Sequence, residues 1–290
     1  MPSVRGMYPL SPIVIIYMNP KERPSINVID ALRANHNDLQ EFFNSLTEEE
    51  WKMSSACEGW RVQDVFAHVT SNLKQFADPD PPSDEQGELD AEQAMEALVT
   101  PRKDWTPGEL VEEYYKYFEP ALNVFSSLLE EPTASVEQQL SDLGTYQLKW
   151  LPYAFCFDHY CHLRHDMTSP GGPIERDLPL ADDLRLAPGI EWMLAGLPQM
   201  CSKDLTSLKK PILLRLTGPG GGEWVLYNSE ENELIQIDNY LEQDVSASIT
   251  STSHDFVSWA THRSSWKDHC ALEGNTEYLL SLIGSINIIE

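Results

Sequence analysis

The sequence predicts an α+β protein in two parts, a four-helix bundle followed by a small α+β unit. Apolar residues recur at helical spacing in four long stretches between residues 27 and 167, the pattern of helices that bury one face. Beyond residue 200 the pattern changes to short strand-like runs with a glycine-rich turn between the first two. The length of 290 residues also suits two domains on the usual scale of about 100–200 residues each. The division expected is an N-terminal arm at 1–24, the bundle at 25–170, a linker at 171–185 and the tail unit at 186–290.

The first helix is read over 27–46 from Ile29, Leu32, Leu39, Phe42, Phe43 and Leu46. Thr47 with Glu50 forms a capping box for a short helix through Trp51. A third helix runs from about Arg61 to Ala77 on the stripe Val62, Val65, Phe66, Val69, Leu73 and Phe76. Residues 78–96 hold eight acidic residues, no basic one and three prolines, and read as a solvated loop. Thr106-Pro107-Gly108-Glu109 is a helix start, with Thr at the cap and Pro in the first turn. That helix carries Leu110, Tyr114, Tyr117, Phe118, Leu122, Phe125 and Leu129 on one face. A further helix spans Pro152 to about Met167, stopped by Ser169-Pro170-Gly171-Gly172. In the tail, a helix is expected over Gly189–Met200. Strands are expected at Ile212–Thr217, Glu223–Tyr227, Leu234–Ile237 and Ala247–Thr252, then helices at Asp255–Arg263 and Glu277–Ile288.

The charge excludes several functions. With 20 basic and 46 acidic side chains the net charge is −26, which opposes binding to nucleic acid or to anionic lipid. Five scattered cysteines without a C-x-x-C pair are no disulfide framework and suit a reducing, cytoplasmic setting. The apolar run 12–18 is far shorter than the roughly 20 residues of a spanning helix. Met18 is read as opening a conventional soluble sequence, with 1–17 an over-extended start or loose arm.

The chemistry-bearing run is Asp158-His159-Tyr160-Cys161-His162-Leu163-Arg164-His165-Asp166. Asp158 and His162 stand four apart and project from one helical face, with His165 and Asp166 on or near it. Two such ligands plus one from a neighbouring helix make a bundle metal site, and His68 is the candidate third. Spacing alone leaves plainer readings open: a polar helix face, a hydrogen-bonded Asp158–His162 couple, a boundary histidine at 68. His159 or His165 could stand in for a proposed ligand. None of the cysteines reads as a nucleophile; Cys161 adjoins His162 but points to another face and is read as a packing residue.

The run Leu46-Thr47, Trp51, Cys57-Glu58-Gly59-Trp60-Arg61-Val62, Asp64-Val65 and Ala67-His68-Val69 resembles the start of the mycothiol-dependent maleylpyruvate isomerase family, within the DinB-like metalloenzymes. The resemblance covers roughly residues 27–167. It implies a DinB-like four-helix bundle with a divalent metal, zinc as the first choice, on His68, Asp158 and His162. Two departures stand out: Asp158 replaces the usual Glu, and Asp166 lies four residues after His162 where the family has three. Asp255–Arg263, Gly274 and Ile286-Asn287-Ile288 are similar to sterol-carrier-like C-terminal domains found behind such bundles. By the same resemblance Arg263 is the catalytic-site cation that holds an anionic group, although a surface Arg completing a helix end is as good a reading.

The function implied is thiol chemistry at a metal. A low-molecular-weight thiol, mycothiol or similar, would be activated there for S-transfer to, or cis–trans isomerisation of, a small anionic electrophile. The alternative is a binding protein that holds an apolar ligand in the sterol-carrier-like unit. A third is a DinB-like hydrolase using metal-bound water.

Overall fold

The computed structural model describes residues 26–80, 89–201, 205, 208–228, 235–239, 245 and 247–289. The expectations for the 1–24 arm and for Met18 lie outside the described residues, as does the middle of the acidic segment at 81–88.

The bundle's four long helices are those expected. α1 (Val28–Asn44) begins where Asn27 Oδ1 accepts the Ile29 N–H at 3.0 Å. The short α2 (Glu48–Trp51) has the Thr47–Glu50 capping box. α3 (Val62–Ala77) starts at Arg61, whose N–H donates to Asp64 Oδ2 at 2.9 Å. α5 (Pro107–Leu128) has the Thr106–Glu109 box and Pro107 in its first turn. α6 (Leu151–Cys161) completes the set. Leu32, Leu39, Phe66, Leu73, Tyr114, Leu122 and Phe125 are fully buried in the core they share.

Five expectations for the helices change, four of them as follows. First, Ala91–Val99 is a helix, α4, within the segment expected as loop to residue 96; Asp90 caps it by accepting the Gln93 N–H at 2.8 Å. Glu92 faces solvent, Glu96 turns to Trp60, and Val99 is buried at its end. Second, the helix expected to Met167 is α-helical only to Cys161 and then widens into a π-helical turn, His162–Met167. Thr168 closes that turn, donating to the Leu163 carbonyl from its N–H at 3.2 Å and from Oγ1 at 2.8 Å. Third, the helix expected from Gly189 begins earlier: α7 spans Asp183–Met200, with Asp182 as its cap and Pro188 inside it. Fourth, the long C-terminal helix is instead α9 (Thr276–Leu280) followed by a 3-10 turn at Ile283–Ser285. The chain bends there so that Ile286 and Ile288 both reach the tail core, and the Ile288 N–H donates to Ala260 O at 2.7 Å. Two further elements, the hairpin β1 (Glu137–Gln139) with β2 (Thr145–Gln147), are too short and polar to read from sequence.

The tail is built on a five-stranded sheet of order β5-β4-β3-β6-β7. β3 (Ile212–Thr217) and β4 (Gly222–Asn228) form the expected hairpin, with Leu214 opposite Trp224. Its turn carries Gly220 at φ +68°, where a Cβ would sit 3.0 Å from the Ala187 Cα of α7. Asp183 on α7 accepts the Gly220 N–H at 2.7 Å. β5 (Ile235–Asn239) flanks β4; β6 (Ala247–Thr252) runs parallel to β3; β7 (Ala271–Gly274) is the antiparallel edge beyond it. α8 is shorter than expected, Ser253–Trp259, and Thr252 caps it by accepting the Asp255 N–H.

α6 belongs to both cores. Phe155 and Cys156 pack into the bundle, while Phe157, Tyr160 and Cys161 pack with α7, α8 and the sheet. A helix apolar on both sides lies between two layers, and this places the Asp158–Asp166 run at the junction of bundle and tail. Among the described residues no helix is long and apolar enough to cross a membrane.

Candidate metal centre

His68 on α3, Asp158 on α6 and His162 at the first position of the π-helical turn come together, although ninety residues of chain separate the first two. His68 Nε2 lies 2.9 Å from Asp158 Oδ1, and His162 Nε2 lies 3.3 Å from the same oxygen. Two ligand bonds of about 2.0–2.1 Å at a tetrahedral angle separate their donor atoms by about 3.3 Å, so the spacing suits one small cation. The histidine rings meet edge-on, centroids 4.9 Å apart, and the Trp60 ring covers His68 at 5.4 Å. Trp60 is held by its Nε1–H to Glu96 Oε2 at 2.8 Å.

Two buried polar atoms of the triplet, His68 Nδ1 and Asp158 Oδ2, make no hydrogen bond among the described residues. Such atoms are costly to bury unsatisfied, and an extra ligand at the triplet relieves the cost at Asp158. The donor set of two imidazoles and one carboxylate also suits zinc. The residues present therefore fit the metal.

The electrostatics agree. Burial by itself would raise the Asp158 carboxyl, but His68 and His162 outweigh it and hold it well below the usual range. Burial would likewise lower His162, yet Asp158, together with hydrogen bonds to Asp158 and Asp166, holds it well above the imidazole range. Asp158 and His162 thus stabilise each other's charged forms.

Asp166 stands behind His162, its Oδ2 2.7 Å from His162 Nδ1. This is the carboxylate–histidine arrangement that fixes the ring of a ligating histidine. Asp166 is 1% exposed and is gripped from the tail by Arg263, with Nε 2.8 Å from Oδ1 and Nη2 3.0 Å from Oδ2. Arg263 is delivered by the end of α8. The Arg263 N–H donates to Ser258 O at 2.9 Å and the His262 N–H to Trp259 O at 3.2 Å, with His262 left-handed at φ +56°. That is a Schellman turn, and it replaces the helix expected to continue through Arg263. The anion that Arg263 meets in this structure is the chain's own Asp166.

The neighbouring histidines take other places. His159 hydrogen-bonds the Phe155 carbonyl of its own helix at 2.9 Å, and burial pushes it down to about 4. His165, expected on or near the Asp158 face, instead lies against His254 of α8, ring centroids 4.5 Å apart; burial, with His254, pushes it down to about 3. Burial pushes the Cys161 thiol up to about 12, in keeping with a packing role.

Sequence reasoning missed Cys57. Its Sγ lies 4.0 Å from His162 Nδ1, and Cys57, His162 and Asp166 form a second metal-sized triplet sharing that histidine. Adjacency in the chain could not find it, because 105 residues separate the two. The signal was its place just before the Gly59–His68 motif. The first triplet is the better metal site, since Arg263 already bonds both oxygens of Asp166.

Residues 32–134 match the family model of the mycothiol maleylpyruvate isomerase N-terminal domain. The matched segment contains His68 and ends before Asp158. Two solved structures are similar to the chain: the mycothiol-dependent maleylpyruvate isomerase, and a histidine-to-alanine variant of it. Each is 14% identical, over 85% of this chain and 91% of the other, with TM-scores of 0.50 and 0.48 respectively. The first of these establishes a likeness of fold that reaches past the bundle into the tail. A search of curated proteins found no match to the sequence.

Proposed function

We propose that this protein is a metal-dependent enzyme that uses a low-molecular-weight thiol of the mycothiol type. Its reaction is cis–trans isomerisation of, or S-transfer to, a small anionic electrophile. The observation that carries the reading is the convergence of His68, Asp158 and His162, from α3, α6 and the π-helical turn, on one cation-sized position. The domain family of residues 32–134 supports the thiol.

His68 Nε2, His162 Nε2 and an Asp158 oxygen would hold the metal, zinc by donor type. Three protein ligands leave an open position, the arrangement of catalytic sites. A metal there supplies the charge that keeps a coordinated thiol deprotonated and ready to add to a polarised double bond. Asp166 keeps the His162 ring in place with Nε2 facing that position. Trp60 shields the His68 side from water.

The test is elemental analysis of purified protein, followed by assay with maleylpyruvate with and without added thiol. The expected result is about one equivalent of divalent metal, lost in His68→Ala and His162→Ala while the helical circular-dichroism signal persists, and turnover only when a thiol is added. Turnover independent of thiol would favour hydrolysis by metal-bound water. Metal content unchanged in both variants would end the metal reading. Tight apolar-probe binding indifferent to His68→Ala would favour the binding-protein alternative.

A further inference from the structure

Asp166 is the point where two chains of contact meet. On one side its Oδ2 is 2.7 Å from Nδ1 of His162; on the other, both oxygens bond the guanidinium of Arg263, which belongs to the tail. The same π-helical turn makes a second contact with the tail, where His165 lies beside His254, and Tyr160 of α6 meets His254 Nδ1 at 2.9 Å. His162 therefore sits on a segment that touches the tail at two points, His254 of α8 and Arg263 just beyond it. We infer that Asp166 and Arg263 form a positioning pair, which couples docking of the tail to the aim of His162 at the metal position.

The physical reason is one of orientation. A carboxylate fixes a histidine ring only if it is itself fixed, and the bidentate fork of Arg263 leaves Asp166 a single orientation. Without Arg263 the buried carboxylate loses its cation and is free to rotate, so the ring behind the metal loses its guide. Arg263 in this role acts through Asp166, and its effect is on metal affinity in the absence of any substrate. Coupling of this kind is reciprocal: a metal seated on His162 also strengthens docking of α8.

The inference rests on the metal reading of the His68–Asp158–His162 site. Its test is zinc affinity by competition with a chelating dye, with neither thiol nor substrate present. Loss of such a supporting partner typically weakens a metal site 10–100-fold, and that is the loss expected for Asp166→Asn and for Arg263→Met. The double variant should be no weaker than the weaker single one, because both act along one path. Hydrogen exchange in residues 253–263 should slow when zinc is added to the wild-type chain, and this response should vanish in Asp166→Asn. Wild-type protein alone gives a second readout: in the zinc-loaded chain, NMR should show a protected, hydrogen-bonded proton on Nδ1 of His162. Affinity within twofold of wild type in both single variants, with zinc still lost in His68→Ala, would overturn the inference and leave the metal reading standing. So would absence of the protected Nδ1 proton. Zinc retained by His68→Ala would instead remove the metal reading on which the inference rests. A raised KM at unchanged zinc affinity in Arg263→Met would return Arg263 to direct contact with an anionic substrate.

Discussion

His162 is the residue on which the site turns, because each nitrogen of its ring faces a different set of neighbours. Nε2 faces Asp158 and, beyond it, His68, while Nδ1 faces Asp166 and Cys57. A metal therefore has two overlapping triplets to choose from, and only the first has an uncommitted carboxylate oxygen in Asp158 Oδ2. Cys57→Ser should accordingly leave the metal content at the wild-type level, whereas His162→Ala abolishes it. Elemental analysis of the two variants checks this directly. Metal lost in Cys57→Ser would move the ion to the thiol side of the ring.

Among the elements, the π-helical turn His162–Met167 does the most. Besides His162 and Asp166 it carries Arg164, whose Nη2 lies 2.8 Å from Asp38 of α1. Asp38, 3% exposed, also takes Arg185 of α7 at 2.8 and 3.1 Å. One buried carboxylate thus ties α1 and α7 to the turn that presents His162. Removing one partner of a buried pair leaves an uncompensated charge and costs about 3–5 kcal/mol, so Asp38→Ala should lower the urea-unfolding free energy by that amount. A cap is worth less. Thr106 opens α5 on the surface, and Thr106→Ala should cost about 1 kcal/mol while leaving zinc affinity unchanged. Together the two variants separate stability from site geometry, since only Asp38 touches the turn.

For the whole molecule, stability should fall on mild acidification. Burial pushes His36 and His159 down to about 4, and burial with His254 pushes His165 to about 3, each from an ordinary value of 6.5. Between about pH 6.5 and 4 the unfolded chain binds protons at these positions that the folded chain refuses. Stability therefore rises with pH across that window and is lost as pH drops through it. Thermal unfolding at a series of pH values checks the slope, and His36→Gln, which keeps a partner for the Tyr114 hydroxyl, should flatten it. A melting temperature that climbs on acidification from pH 6.5 to 4 would contradict this. The −26 charge adds to the case for measuring at fixed ionic strength, since self-repulsion on so acidic a surface is screened by salt.

Local pattern carried most of the fold because each decisive signal was short-range. The apolar stripes of α1, α3 and α5, the Thr47–Glu50 and Thr106–Glu109 boxes and the Gly218–Gly222 turn each lie within a few residues of one another. Asp158 and His162 were legible for the same reason, one turn apart, and His68 through its Gly59–His68 motif. What the sequence could not decide lay in contacts between distant segments. The acidic, proline-containing run just before α4 hid its helix. The widened turn after Cys161 follows no local periodicity, and it sends His165 towards His254 while keeping Asp166 behind His162. The C-terminal run breaks after Leu280 because Ile286 and Ile288 bury more surface by bending into the tail core than by continuing a helix. The sequence by itself determined the four helices, four of the five strands of the tail sheet and the types of donor at the candidate site. Only the tertiary structure decided that Arg263 grips Asp166 and that Cys57 stands beside His162. Those pairings depend on how bundle and tail pack across α6, and no spacing along the chain encodes that.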